Sequence, residues 1–223
     1  ITTVRGMLGH PWHLTLREQL DTNQLTGPRL ITSGPSFNGN SVLSAKMAKG
    51  KTLTQKQKGY DFIKVHPGMS DKSFRAMADE ANKLGLPFAG HVTAGTGLLA
   101  SAQLGQATVD HLDGVMTELA KRSGHSDIKD SGFFGSALVE YIDPKHIAQL
   151  AQEVASSGVA LVPTETLMHG FLSPESPQKS AEKANIRLMP ENTVDSWIST
   201  RQNIQNNPNY SAANIRRFFS LRE

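Results

Sequence analysis

The chain has 223 residues, of which 38% are hydrophobic and 19% charged, the size and balance of one large globular α/β domain or two small ones. Its 23 basic and 20 acidic residues leave a formal charge of +3. The lysines Lys46, Lys49, Lys51, Lys56 and Lys58 form a solvated group without an aromatic platform, which argues against a nucleic-acid partner. There is no cysteine, which excludes disulfides and thiolate metal sites, and no apolar run approaches the roughly 20 residues of a membrane span.

Ile1 to Val4 reads as a strand, and because the chain starts there without a methionine, a preceding segment is expected. The absence of cysteine leaves cytoplasm and periplasm (or secretion) equally open. A Gly-, His- and Pro-rich segment from Gly6 to His13 leads into a helix over Leu14 to Leu25, closed by Gly27-Pro28. Arg29 to Ser33 is a second strand, and residues 36–59, polar and lysine-rich, read as a long loop with one helical turn at most.

The strand Asp61-Phe62-Ile63-Lys64-Val65-His66 follows. Ser70 is a candidate N-cap for a helix whose apolar positions Phe74, Met77, Ala78, Ala81 and Leu84 lie on one face, stopped by Gly85 and Pro87. Pro87 to Val92 is another strand, Thr96 to Leu104 a short helix, and Ala107 to Leu112 a strand again. Residues 113–142 are of mixed character. Asp143-Pro144 opens a helix carrying Ile147, Leu150, Ala151, Val154 and Ala155 on one face, and Gly158 ends it, with proline and glycine at their favoured ends. The strand Val159 to Pro163, a polar loop over 165–190 and two helices, Glu191 to Asn206 and Ser211 to Leu221, complete the chain. Strands and helices alternate six times, which implies a parallel sheet; a closed eight-stranded barrel needs about 250 residues, so the chain fits a partial barrel or an open sheet.

Three successive strands carry chemistry at or near their C-terminal ends: Lys64 with His66, His91 and His111. In a parallel α/β barrel those ends meet at one mouth. Side chains alternate along a strand, so Phe62, Lys64 and His66 share one face and Ile63 and Val65 the other. An inward lysine is costly unless it is paired, neutralised or modified. The structural alternative for Lys64 is a lysine bridging strands through a carboxylate, and for His66 a loop histidine, while His91 alone or His111 alone reads as a hydrogen-bonded core residue. Together they read as one site.

The ordered set Ile1-Thr2-Thr3-Val4-Arg5, Gly27-Pro28-Arg29-Leu30, Ser33-Gly34-Pro35, Asp61 to Val65, Gly90-His91-Val92, Asp110-His111-Leu112 and Val162-Pro163-Thr164 resembles the metal-dependent amidohydrolase superfamily, in its imidazolonepropionase-like and prolidase-like branch. The resemblance covers nearly the whole chain, taken as one barrel domain over residues 1–223, and implies a distorted (β/α)8 TIM-like barrel with about six strands present. It implies a divalent metal cofactor, zinc as the expected ion and two in a complete enzyme. Lys64 matches a lysine that becomes carboxylated and bridges the metals, and His91 and His111 match metal ligands. His66, one step outward on the face of Lys64, is a candidate substrate contact.

The expected activity is hydrolysis of a peptide-like, N-acyl amino acid or cyclic amide bond in a small molecule. The His-x-His pair of the family matches nothing here, since His10-Pro11-Trp12-His13 has a different spacing. That pair is expected before Ile1 and the general-base aspartate beyond Glu223, so the chain reads as a fragment that is inactive by itself. Thr164, Glu165, His169 and His125 have places near strand ends or in loops that would shape a pocket, with no motif to single them out. Two alternatives stay open, a class I aldolase forming a Schiff base on Lys64, which leaves His91 and His111 idle, and an inactive barrel used as a scaffold. A homo-oligomer is neither required nor excluded.

Overall fold

The computed structural model describes residues 1–208 and 210–223. These group into two compact units, one of Ile1–Gly114 with Gln149–Val162 and one of Val115–Ala148 with Pro163–Glu223.

The first unit holds all six strands. β1 (Thr3–Gly6) and β2 (Arg29–Thr32) pair in parallel, with α1 (Trp12–Asp21) between them. β3 (Ile63–Val65), β4 (Phe88–Gly90), β5 (Thr108–Asp110) and β6 (Ala160–Val162) form a second parallel sheet in sequence order. Bridges between Ser33 and Phe62 and between Phe37 and Val65 carry the chain after β2 onto β3. The alternation expected from the sequence is therefore present, as a partial barrel of parallel strands.

Crossover helices cover the outer face. In α3 (Asp71–Lys83) Ser70 accepts a hydrogen bond from the Ser73 amide, Asp71 sits in the first turn, and Lys83 in the last, so both ends are satisfied as the sequence predicts. Phe74, Met77, Ala78 and Ala81 are all buried, and Phe74 meets Phe88 of β4 edge to face at 5.9 Å between ring centres. Ile63 and Val65 join the same cluster, each with no exposed surface. Burying side chains of this size stabilises by about 1.5–3 kcal/mol each, which fixes the outward parity of β3 and turns Lys64 inward.

Residues 36–59 depart from expectation. Instead of a loop they contain a 13-residue helix, α2 (Ala45–Gln57), capped by Ser44, whose hydroxyl accepts from the Met47 amide. Its buried positions are Ala48, Thr52 and Gln55, an i, i+4, i+7 face in which two of three residues are polar. Thr52 returns its hydroxyl to the Ala48 carbonyl at 2.9 Å and Gln55 donates to the Pro35 carbonyl at 2.7 Å, so both can be buried without an apolar stripe to announce them. α4 (Leu98–Gln103) links β4 to β5, starting at Gly97. α6 (Ile147–Ser156) precedes β6, and Asp143 caps the short 3-10 turn at Pro144–His146 that leads into it.

The second unit is helical. α5 (Val115–Arg122) occupies the start of the mixed segment. The expected loop over 165–190 contains α7 (Glu165–Leu172), α8 (Pro177–Ala181) and a 3-10 turn at Ile186–Leu188. α9 (Glu191–Gln205) and α10 (Ala212–Arg222) match the two terminal helices read from the sequence. No helix among the described residues is long and apolar enough to cross a membrane.

Candidate functional site

The backbone of each histidine is pinned at a strand end. The His66 amide donates to the Phe37 carbonyl at 2.7 Å, the His91 amide to the Val65 carbonyl at 3.0 Å, and the His111 amide to the Val162 carbonyl at 2.7 Å. Each bond continues a ladder one residue past its strand, so the three rings leave the sheet at one edge. The rings form a row, with centres 5.1 Å apart from His66 to His91 and 4.8 Å from His91 to His111. The convergence expected from the sequence is present for these three residues.

Gly90 makes the close approach of β3 and β4 possible. Its φ is +123°, and a Cβ there would stand 2.4 Å from the Val65 carbonyl oxygen and 2.8 Å from Cδ of Lys64. No side chain fits in that space. After β5 the backbone takes left-handed conformations at His111 (φ +64°) and Leu112 (φ +57°), and the turn closes with the Asp113 amide donating to the Asp110 carbonyl at 3.1 Å. Two consecutive non-glycine residues in that region carry strain of order 1–3 kcal/mol each, and the turn they make returns Asp113 to His91. The His91 Nδ1 and Asp113 Oδ2 atoms are 2.6 Å apart, which engages one ring nitrogen and orients the other away.

Lys64 is 3% exposed, and its ammonium donates to Asp110 Oδ2 at 2.5 Å. Asp110 also accepts from the Thr108 hydroxyl at 3.3 Å and has the Arg5 guanidinium 3.7 Å away. Lys64 thus takes the strand-bridging pair that an inward lysine requires. Asp110 and Asp113 are the two carboxylates that the reading of candidate residues missed. Asp110 was legible in principle, two residues beyond Thr108 on a strand where an inward acid faces an inward lysine; nothing in the sequence marks Asp113.

The electrostatics keep imidazoles neutral. His66 is held at a pKa of about 4, chiefly by burial and then by the Lys64 charge and His91, with Asp110 opposing. His111 is also lowered, by burial first and His91 second. Neutral imidazole is the metal-binding form, so the donors fit a divalent cation in type. As arranged here, no group of three or more His, Asp or Glu side chains among the described residues stands ready to hold a metal ion.

The other candidate residues go elsewhere. His13 Nδ1 lies 2.9 Å from the Thr32 hydroxyl. In the second unit, Thr164 turns its hydroxyl to the Pro163 carbonyl, Glu165 pairs with Arg222, His169 stacks on Phe219 at 4.0 Å, and His125 packs near Tyr141.

By sequence the chain matches no family model and no curated protein. By structure it matches a bottromycin amidohydrolase over 99% of its length, with a TM-score of 0.69 at 16% identity. The fold is that of the amidohydrolase barrel, in part. A Xaa-Pro dipeptidase solved with bound methionine matches over 92% of this chain (TM-score 0.53, 15% identity), and the A. niger ochratoxinase over 97% (TM-score 0.51, 12% identity). The chain spans about half the length of these amidohydrolase-fold structures, 47%, 50% and 50% respectively.

Proposed function

We propose that the protein is a metal-dependent hydrolase of amide bonds in small molecules, a dipeptide, an N-acyl amino acid or a cyclic amide. The observation that carries this reading is the meeting of a buried lysine with a row of three imidazoles, on adjacent strand ends of an amidohydrolase fold. Lys64, His91 and His111 would hold the cation, zinc being the ion suited to imidazole donors. When bound, such a cation polarises an amide carbonyl and lowers the pKa of a water towards neutrality.

Lys64 would enter this site as a carbamate, its neutral amine adding carbon dioxide and releasing a proton to water. Carboxylation replaces an ammonium beside Asp110 with an anion, and two buried anions at that spacing require a cation between or beside them. The modification and the metal therefore stabilise one another, and without either the lysine returns to Asp110. Asp113 orients the His91 ring through Nδ1. His66, at the outer end of the row and neutral above its pKa of about 4, is placed to hydrogen-bond an amide substrate without repelling a cation.

The test is hydrolysis of a panel of dipeptides, N-acyl amino acids and cyclic amides, with and without chelator, by the protein in a form as long as the matched amidohydrolase-fold structures. The reading expects cleavage that chelation abolishes and zinc restores. It also expects Lys64→Ala to lower turnover by at least about 100-fold, the upper range for loss of groups that merely support a metal site. Undiminished cleavage by Lys64→Ala would contradict it, as would borohydride trapping of a carbonyl substrate on Lys64, the outcome a Schiff-base enzyme gives.

A further inference from the structure

The second unit contains a cavity of about 650 Å³ between α7, α8 and α9, lined only by residues of that unit. Phe171, Pro177, Ile186, Val194, Trp197 and Ile198 make its wall largely apolar. Arg201 also lines it, and that residue is 5% exposed.

Among the described residues, the hydrogen bonds of Arg201 go only to neutral groups. One terminal nitrogen donates to the Ser173 carbonyl at 3.2 Å and the Glu175 carbonyl at 2.7 Å, while its Nε, buried, has no acceptor among the described residues. Gln205 donates to the same two carbonyls, each at 3.1 Å. The neighbouring carboxylate, Glu175, is committed to Lys183 at 2.7 Å and Ser180 at 2.7 Å. A buried guanidinium with no carboxylate in contact is costly, and burial pulls Arg201 below its ordinary pKa, with the Glu175 charge opposing. An apolar cavity with a buried guanidinium in its wall that no carboxylate contacts suits a ligand with an apolar body and a single negative charge.

We propose that this cavity binds a small apolar monocarboxylate, its body against the aromatic and aliphatic wall and its carboxylate on Arg201. Gly170 marks the space the body takes. It lies in α7 on the cavity wall, and a Cβ there would meet nothing from a neighbouring element within 4 Å. A larger side chain at this position fills the cavity without displacing backbone, and leaves the helix better formed than glycine does.

The test is calorimetric titration of the 223-residue chain with phenylbutyrate and with its neutral isostere phenylbutyramide. The proposal expects saturable binding of the acid, at least about 10-fold tighter than the amide, as loss of a charge-assisted hydrogen bond implies. Gly170→Leu should weaken acid binding by at least about 10-fold with no fall in thermal midpoint, and Arg201→Gln should bring the acid down to the amide's affinity. Should Arg201→Gln not fold, having lost its two carbonyl bonds, Gly170→Leu still decides. Equal affinity for acid and amide, no binding of either, or wild-type affinity in Gly170→Leu would overturn the proposal.

Discussion

Lys64 and Asp110 present the energetic problem that the histidine cluster is built around. Their side chains are 3% and 6% exposed, and each is tolerated because the other is there. Replacing Lys64 by Met leaves a buried carboxylate with only Arg5 at 3.7 Å and a threonine hydroxyl, so chemical denaturation should show a loss of about 3–5 kcal/mol in the metal-free chain. The double variant Lys64→Met with Asp110→Leu should recover much of that loss, because no uncompensated charge remains; additive losses would show that the pair is not coupled. His66 gives a second prediction. Its folded pKa of about 4 lies below the ordinary imidazole value of 6.5, so the unfolded chain takes the proton first as pH falls. The neutral ring's contribution is present above pH 6.5 and lost as pH falls towards 4. Metal-free stability should therefore decline over that window, and His66→Asn should flatten the decline; identical profiles would contradict the assignment.

At the scale of elements, what was legible in the sequence was whatever announces itself by apolar period or by a breaker. α3 shows both, with Phe74, Met77, Ala78 and Ala81 on one face between Ser70 and Gly85, and its bounds in the structure are close to those read. The three-residue strands β3, β4 and β5 were legible because each is a short apolar run that ends in a histidine, next to Pro67 after β3 and Gly90 in β4. α2 was not, because Thr52 and Gln55 are buried through hydrogen bonds, while Met47 and Leu53 lie outside with over 40% of their surface exposed. α7 was hidden for a different reason. It buries only Met168 and Leu172, an apolar pair too short to set a period, and begins at Thr164 in a left-handed conformation that no residue type there signals. Gly90→Ala places a methyl group against the Val65 carbonyl and the Lys64 stem at a φ that disfavours it, and should cost about 3 kcal/mol or more while displacing His91. A variant as stable as the parent would show that β3 and β4 do not approach so closely.

For the whole molecule, the parallel order β3-β4-β5-β6 is what turns three separated sequence positions into one site. His66, His91 and His111 converge because consecutive strands are neighbours, so the spacing along the chain becomes a row of rings about 5 Å apart. The sequence supplied that row, since alternating strands and crossover helices leave few other arrangements. Its electrostatic setting lay in partners that periodicity does not reveal, Asp110 opposite Lys64 and Asp113 folded back on His91. The helical second unit owes its cavity to side chains from α7, α8, α9 and the 3-10 turn at Ile186–Leu188, none of which carries a motif.

Metal content decides whether Lys64, His91 and His111 bind a divalent cation, as proposed. Protein from zinc-supplemented culture, in a form as long as the matched amidohydrolase-fold structures, should contain up to two metal ions per chain. The content should fall in Lys64→Ala and in His91→Ala while both remain folded. A folded protein without metal, or with the same content in all three forms, would contradict the account and leave Lys64 as the buried half of a structural ion pair.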